Sequence, residues 1–241
     1  MLLSIIIPTL DEATTVGATL GALGSLRGAR EVIVVDGGSR DRTCEIARAH
    51  GARVVTGARG RGAQLHAGAG VARGDALWFL HADTSPPADA VERIAAALAQ
   101  DARAVGGNFR LRFDGTDGAA RFLTWLYPRL RRLGLAYGDS GFFVRRAVYE
   151  QTGGFQPFPI FEDLDLLRRL RRHGRFVHLD AELVTSARRF AGRSFALTFA
   201  RWSVLQGLYW LGVHPRRLAR GYAPVRGSEH DEKGRANRAR A

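Results

Sequence analysis

Short apolar runs and helix-period stretches alternate along the first hundred residues of this chain. Residues 2–7 are apolar except for Ser4 and predict a buried strand; 14–26, with small and apolar residues at helical spacing, predicts a helix. The alternation continues as strand 31–35, helix 41–50, strand 53–56, helix 62–72, strand 76–80 and helix 88–98. Near-continuous apolar strands separated by helices imply an α/β fold, with a mostly parallel central sheet and helices on both faces. Right-handed crossovers then bring the strand C-termini to one edge, where open sheets of this kind bind ligands.

After residue 100 the pattern changes. A longer strand at 104–113 leads to an amphipathic helix at 119–133, a short strand at 141–145, a helix at 161–173 and a strand at 175–179. Residues 194–211 predict an apolar, aromatic-rich helix with Arg201 inside it, and the uncharged run from Trp202 to Val213 is too short to span a bilayer. From Pro224 onward the chain holds glycine, charge and few apolar side chains, which predicts disorder. The expected organisation is one α/β domain over 1–190, a C-terminal helical extension over 191–222 and a basic tail over 223–241.

Composition narrows the classes. With 46% hydrophobic and 24% charged residues in 241, the chain is globular and long enough for one good core. Cys44 is the only cysteine, which excludes an internal disulfide. The opening segment to Pro8 lacks a basic leader, so a cytoplasmic location is expected. The net charge of +13 raises a nucleic-acid-binding class, because clustered cations attract phosphates. However, the arginines collect in runs such as Arg129, Arg131, Arg132 and Arg168, Arg169, Arg171, Arg172, which read as solvated helix faces. No basic motif is interleaved with aromatics, and no specific nucleic-acid partner is expected. The aromatics of 194–213, flanked by Arg216, Arg217 and Arg220, suit a membrane interface with anionic lipid, at the inner face of the cell membrane. Packing on the protein itself or on a second subunit is the competing reading.

The candidate chemistry stands at the strand ends. The first strand runs into Pro8-Thr9-Leu10-Asp11-Glu12, the second into Asp36-Gly37-Gly38-Ser39 and the fourth into His81-Ala82-Asp83. Singly, such acids are usually caps or turn formers; three converging ends favour a ligand site. His81 and Asp83, two residues apart, suit a divalent cation that also binds a diphosphate, with the imidazole favouring Mn²⁺ over Mg²⁺. The bland reading of Asp83 is a cap for the helix at 88. Arg59-Gly60-Arg61-Gly62-Ala63-Gln64 precedes a helix, where backbone amides favour anions, but it matches neither a dinucleotide-binding nor a P-loop pattern. Glu162 and Asp163 open a helix after the apolar loop 157–161, a position able to shield a general base from water. Carboxylates in a first turn also simply favour the helix dipole.

In order along 2–190, these segments resemble the family-2 inverting glycosyltransferases of GT-A fold: Ser4–Glu12, Val34–Thr43, 60–74, Phe79–Asp83, 142–155 ending in Gly153-Gly154-Phe155, and Phe161–Leu166. The His-Ala-Asp triplet, Gly138-Asp139-Ser140-Gly141 and the run 211–218 resemble a bacterial branch named for arsenosugar biosynthesis, found beside radical-SAM proteins. The resemblance implies a nucleotide-sugar donor, with Pro8, Thr9, Glu12 and Asp36 lining the nucleoside pocket and Arg61 and Gln64 on the donor side. It implies that Asp83, joined by His81, holds a divalent cation (Mn²⁺ or Mg²⁺) on the donor diphosphate. It also implies that Asp163, beside Glu162, takes the proton of the acceptor, and that Arg188 and Arg189 clamp the leaving diphosphate. The acceptor stays open among a small alcohol, a lipid and a carotenoid-like acid. Where the family commonly carries Asp this chain has Gly37 and His81, which leaves the donor base and the metal open. A non-catalytic nucleotide-sugar-binding or partner-binding module on the same fold is the rival reading.

Overall fold

The computed structural model describes residues 1–186 and 195–221; Arg188, Arg189, Ser194 and the expected tail at 223–241 lie outside the described residues. The chain divides into two units, 1–188 and 189–241.

In the first unit the apolar runs form strands as expected: β1 (Leu3–Thr9), β2 (Arg30–Asp36), β3 (Arg53–Thr56) and β4 (Ala76–Phe79) are mutually parallel in the order β3-β2-β1-β4. Their register levels the strand ends, Thr9 against Asp36 and Asp36 against Thr56. Beyond β4 the sheet becomes mixed. β7 (Phe143–Arg145) lies antiparallel to both β4 and β6 (Ala104–Phe113); β6 runs parallel to β8 (Arg175–Thr185), whose edge carries the two-residue β5 (Thr84–Ser85) antiparallel. Two of the eight strands, β5 and β7, therefore oppose the rest. The reversal of β7 has a consequence for function: its N-terminal end, with the turn just before it, arrives at the same edge as the C-terminal ends of β1, β2 and β4.

Alternate residues of the buried strands supply two cores, one on each face of the sheet. Leu3, Ile5, Ile7, Val34, Trp78 and Phe109 meet α1 (Val16–Gly24), α2 (Thr43–Ala49) and α4 (Ala90–Gln100). Ile6, Ile33, Val35, Leu77 and Phe142 meet α3 (Arg61–Val71), α6 (Arg146–Gln151) and α7 (Glu162–Leu170). Helix α3 can lie close on β1 and β2 because Gly68 has no side chain; a Cβ there would collide with Ile6 and Val35. That close docking fixes where Arg61 and Gln64, at the other end of α3, are held.

The differences from expectation are local. Residues 146–151 form the helix α6, which the sequence pattern did not reveal, and β8 runs six residues past the expected 179 because its last residues pair with β5 and β6. Helix α5 (Gly118–Arg132) is capped by the Asp117 side chain on the Ala120 amide (2.7 Å). Two of the arginines read as solvated are engaged: Arg131 donates to the Leu179 carbonyl (2.8 Å) and Arg169 to Asp165 (2.7 Å).

The second unit contains α8 (Phe195–Trp210), followed by the short α9 (Pro215–Leu218). Arg201 donates to the Gly221 carbonyl, tying the two ends of this segment together. Among the described residues, no helix is long and apolar enough to cross a membrane.

Candidate active site

Thr9 and Asp36 end β1 and β2 side by side. The Asp36 carboxylate accepts from the Gly38 and Ser39 amides (2.9 and 3.0 Å), from the Ser39 hydroxyl and, at 3.5 Å, from Thr9. Burial raises its pKa, but these donors outweigh burial and hold it below the usual carboxylate range. Asp36 thus closes its own turn while facing the strand-end crevice. Glu12 accepts from the Thr15 hydroxyl (2.8 Å), and its amide donates to Thr43 (2.8 Å), so it starts α1 and joins it to α2. Pro8 is half-buried beside them.

Gln64 is buried, and its amide nitrogen donates to the carbonyls of Thr9 and Val35, both at 2.8 Å. It locks α3 onto the ends of β1 and β2. A Cβ at Gly37 would lie 3.0–3.2 Å from the Gln64 carboxamide, so Gln64 fills the space that a side chain at 37 would need. Gln64, expected on the donor side, shapes the floor of the crevice at these strand ends.

One α-helical turn earlier, Arg61 joins a different cluster. Its guanidinium donates to Glu162 and lies 3.7 Å from Asp163 and 3.9 Å from Asp139. Burial works against the Arg61 charge, and the three carboxylates overcome it, raising its pKa. Glu162 is 2% and Asp163 6% exposed, so they are not merely dipole-favouring surface acids. The second oxygen of Glu162, Oε2, is buried with no hydrogen-bond partner. Phe161, just before them, has φ 61°, a left-handed conformation unusual for an aromatic residue, and it turns both carboxylates inward at the start of α7. Asp163 Oδ2 accepts from the Gly138 amide (2.7 Å); a Cβ on Gly138 would press on the Asp163 side chain at 3.2 Å. Burial raises the pKa of Asp163, Arg61 lowers it and Glu162 raises it again, leaving it above the ordinary aspartate value.

These groups wall a narrow crevice, lined also by Phe79, His81, Phe142 and Phe155. The shielding foreseen from 157–161 comes chiefly from these aromatics, while Pro157 and Pro159 are exposed. Tyr149 supports that wall: its hydroxyl accepts from the Phe155 amide (3.0 Å), and burial pushes its pKa up to about 12.

His81 reaches this crevice because β4 ends just before it. Ala82 is buried, and its carbonyl accepts from Thr19 (2.9 Å), which holds the triplet in place with half-exposed His81 and Asp83 on either side. Asp83 does not cap the following helix; α4 begins seven residues later with Asp89 as its N-cap. An imidazole and a carboxylate at this spacing fit a divalent cation that draws its other ligands from a diphosphate. Among the described residues no three His, Cys, Asp or Glu side chains group into a metal site.

The sequence marks Glu162 and Asp163, and 138–146 as a sharply turned wall on the acceptor side, but not the contact between them, the Gly138 amide on Asp163. The Gly-Asp-Ser-Gly composition announces a turn, yet only the antiparallel placement of β7 brings it against Asp163.

Comparison with known proteins places this arrangement. A curated protein of Bacillus subtilis (strain 168), "Probable glycosyltransferase YdaM", is 26% identical over 211 residues, covering 76% of this chain and 49% of that protein. The undecaprenyl-phosphate 4-deoxy-4-formamido-L-arabinose transferase of Pseudomonas paraeruginosa is 30% identical over 159 residues, 60% of this chain and 46% of that one. The chain thus spans about half the length of these curated relatives. Among solved structures, glucosyl-3-phosphoglycerate synthase from Mycobacterium tuberculosis, in complex with Mn²⁺, UDP and glucosyl-3-phosphoglycerate, superposes with a TM-score of 0.63 at 21% identity, covering 88% of this chain and 80% of that one. That likeness carries the GT-A-type fold. The description "Glycosyl transferase family 2" matches residues 4–152, more than half of the chain, and the chain belongs to that family.

Proposed function

We propose that this protein transfers a sugar from a nucleotide-sugar donor to an acceptor hydroxyl with inversion at the anomeric carbon. The observation that carries the reading is the buried Asp163, gripped by the Gly138 amide and flanked by Arg61, in a crevice that His81 also lines. In this reading Asp163 accepts the proton of the acceptor hydroxyl as its oxygen attacks the anomeric carbon from the face opposite the diphosphate. The new oxygen–carbon bond forms, the bond from that carbon to the diphosphate oxygen breaks, and the electron pair leaves with the nucleotide. Burial raises the pKa of Asp163, which strengthens it as a base, and the Arg61 charge opposes that rise. Asp83 and His81 would hold a divalent cation, which when bound neutralises charge on the leaving diphosphate. Thr9, Glu12 and Asp36 would border the nucleoside, and Gln64, by filling the space at Gly37, would set which base fits. The His-Ala-Asp triplet and the run 211–218 support the arsenosugar-associated branch of the family.

The test is a panel of UDP-glucose, UDP-N-acetylglucosamine and GDP-mannose, each with Mn²⁺, with Mg²⁺ and with chelator. One donor is expected to raise the melting temperature in the presence of metal and to release its nucleotide slowly. No shift with any donor, or equal shifts with and without chelator, would remove the donor or the metal from the proposal.

A membrane interface on α8 is a further part of this reading. Val204, Leu208, Trp210 and Leu211 are exposed on or beside α8, and no acidic residue occurs between Glu182 and Glu229. Apolar and aromatic groups next to arginines suit anionic lipid. The chain should co-sediment with vesicles containing phosphatidylglycerol at low salt and release at high salt; a chain that stays in the supernatant at low salt ends this part of the reading.

A further inference from the structure

We propose that Ser140, backed by Asn108 and His178, is a positioning residue for Asp163: it orients the Tyr137–Gly138 peptide whose N–H holds the carboxylate. The inference rests on the reading of Asp163 as the base.

A peptide group is planar and, here, trans, so its carbonyl and its N–H lie on opposite edges and turn together. The Tyr137 carbonyl accepts from the Ser140 amide (3.0 Å) and from the Ser140 hydroxyl (2.5 Å). On the other edge of the same peptide, the Gly138 N–H donates to Asp163 Oδ2 at 2.7 Å. Anchoring the carbonyl therefore aims the N–H.

The hydroxyl has one proton, and the chain of bonds commits it. Asn108 Nδ2 donates to Ser140 Oγ (2.7 Å), so the Ser140 proton goes to Tyr137. Asn108 Oδ1 is then the acceptor from His178 Nδ1 at 2.6 Å, which settles both the amide orientation and the imidazole tautomer. Asn108 and His178 are register partners on β6 and β8, and the pairing slips just after Asn108, an irregularity of the kind that re-aims side chains beside sites. Asn108 and Ser140 are both buried, whereas the packed faces around them are apolar. Buried polar chains of this kind are costly unless every member is bonded, and bonded they rigidify what they touch. From the other side, Trp78 donates to the Gly141 carbonyl (3.2 Å), so the turn is held at both ends.

The experiment needs no substrate: the Asp163 side-chain carboxyl is titrated by ¹³C NMR in the metal-free protein, together with exchange of the Gly138 amide. Ser140→Ala should raise the Asp163 midpoint by roughly half a unit or more, because a donor to the ionised form is loosened, and should speed Gly138 exchange. Ser140→Thr keeps the hydroxyl and should keep the wild-type midpoint. Should Ser140→Ala fold poorly, His178→Phe, at the exposed end of the chain, should move the midpoint in the same direction by less. An unchanged midpoint in folded Ser140→Ala, or in both Ser140→Ala and His178→Phe, overturns the proposal even if the melting temperature falls. Once the donor panel yields a substrate, Ser140→Ala should lower kcat several-fold with the donor KM within about two-fold of wild type. If Asp163→Asn keeps full turnover while the Ser140→Ala midpoint moves, the base assignment fails and the positioning geometry stands.

Discussion

Asp36 and Asp163 are each only 6% exposed, but Asp163 lies deeper in the protein, and their surroundings push their acidities in opposite directions. Asp36 ends a parallel strand and is wrapped by the amides and hydroxyl of its own turn, so burial is outweighed and the carboxylate is held ionised. Asp163 opens a helix across the crevice. It accepts from the Gly138 amide of a distant turn (2.7 Å) on one oxygen and from the neighbouring Leu164 amide (2.8 Å) on the other, and sits among other acids that Arg61 only partly balances. Depth and the balance of donors against neighbouring acids together set what a carboxylate can do. Four donors from its own turn and from Thr9 hold Asp36 as a low-pKa acid, whereas deep burial among other acids outweighs the two amides on Asp163.

The largest test of this contrast is the same change made at both positions. Asp163→Asn should cut turnover by about 10²–10⁴-fold while leaving the melting temperature and the donor-induced shift nearly as they are. Asp36→Asn should do the reverse in kind. Its turn keeps a side chain of the same shape but loses charge-assisted bonds, so stability should fall by about 1–3 kcal/mol in urea unfolding. If the two variants behave alike, the distinction between the regions collapses.

A smaller effect sharpens the picture behind Asp163. Although His178 is exposed at one edge, desolvation of its ring beside Asn108, helped by Arg131 and Arg171, depresses its pKa from its ordinary 6.5 to about 4. The unfolded chain therefore takes up this proton first as pH falls, and the fold loses stability progressively between about 6.5 and about 4. Thermal melts across that range should show a shallower decline in His178→Asn than in wild type; parallel curves would mean that His178 titrates normally and the polar chain is wetter than described.

Much of the first half of the molecule was legible in the chain because its signals are local. Apolar runs such as 2–7 and 32–35, each followed by turn-forming residues, read as strands, and parallel strands deliver Thr9, Asp36 and His81 to one edge. Glu162 and Asp163 were legible as a pair behind an apolar segment. The segment 146–151 was not, since a six-residue helix has too few periods to register against its neighbours.

What the residues determined alone is the alternation of buried strands and helices, the edge at which ligands gather, and the acids that stand there. The tertiary structure decided which groups those acids meet. The antiparallel entry of β7 set Gly138 against Asp163, the missing side chain of Gly68 let α3 carry Arg61 into the same crevice, and Gln64 filled the space beside Gly37. Contacts such as that of Arg61 with Glu162 join residues about a hundred positions apart, and no periodicity along a chain encodes so distant a neighbour.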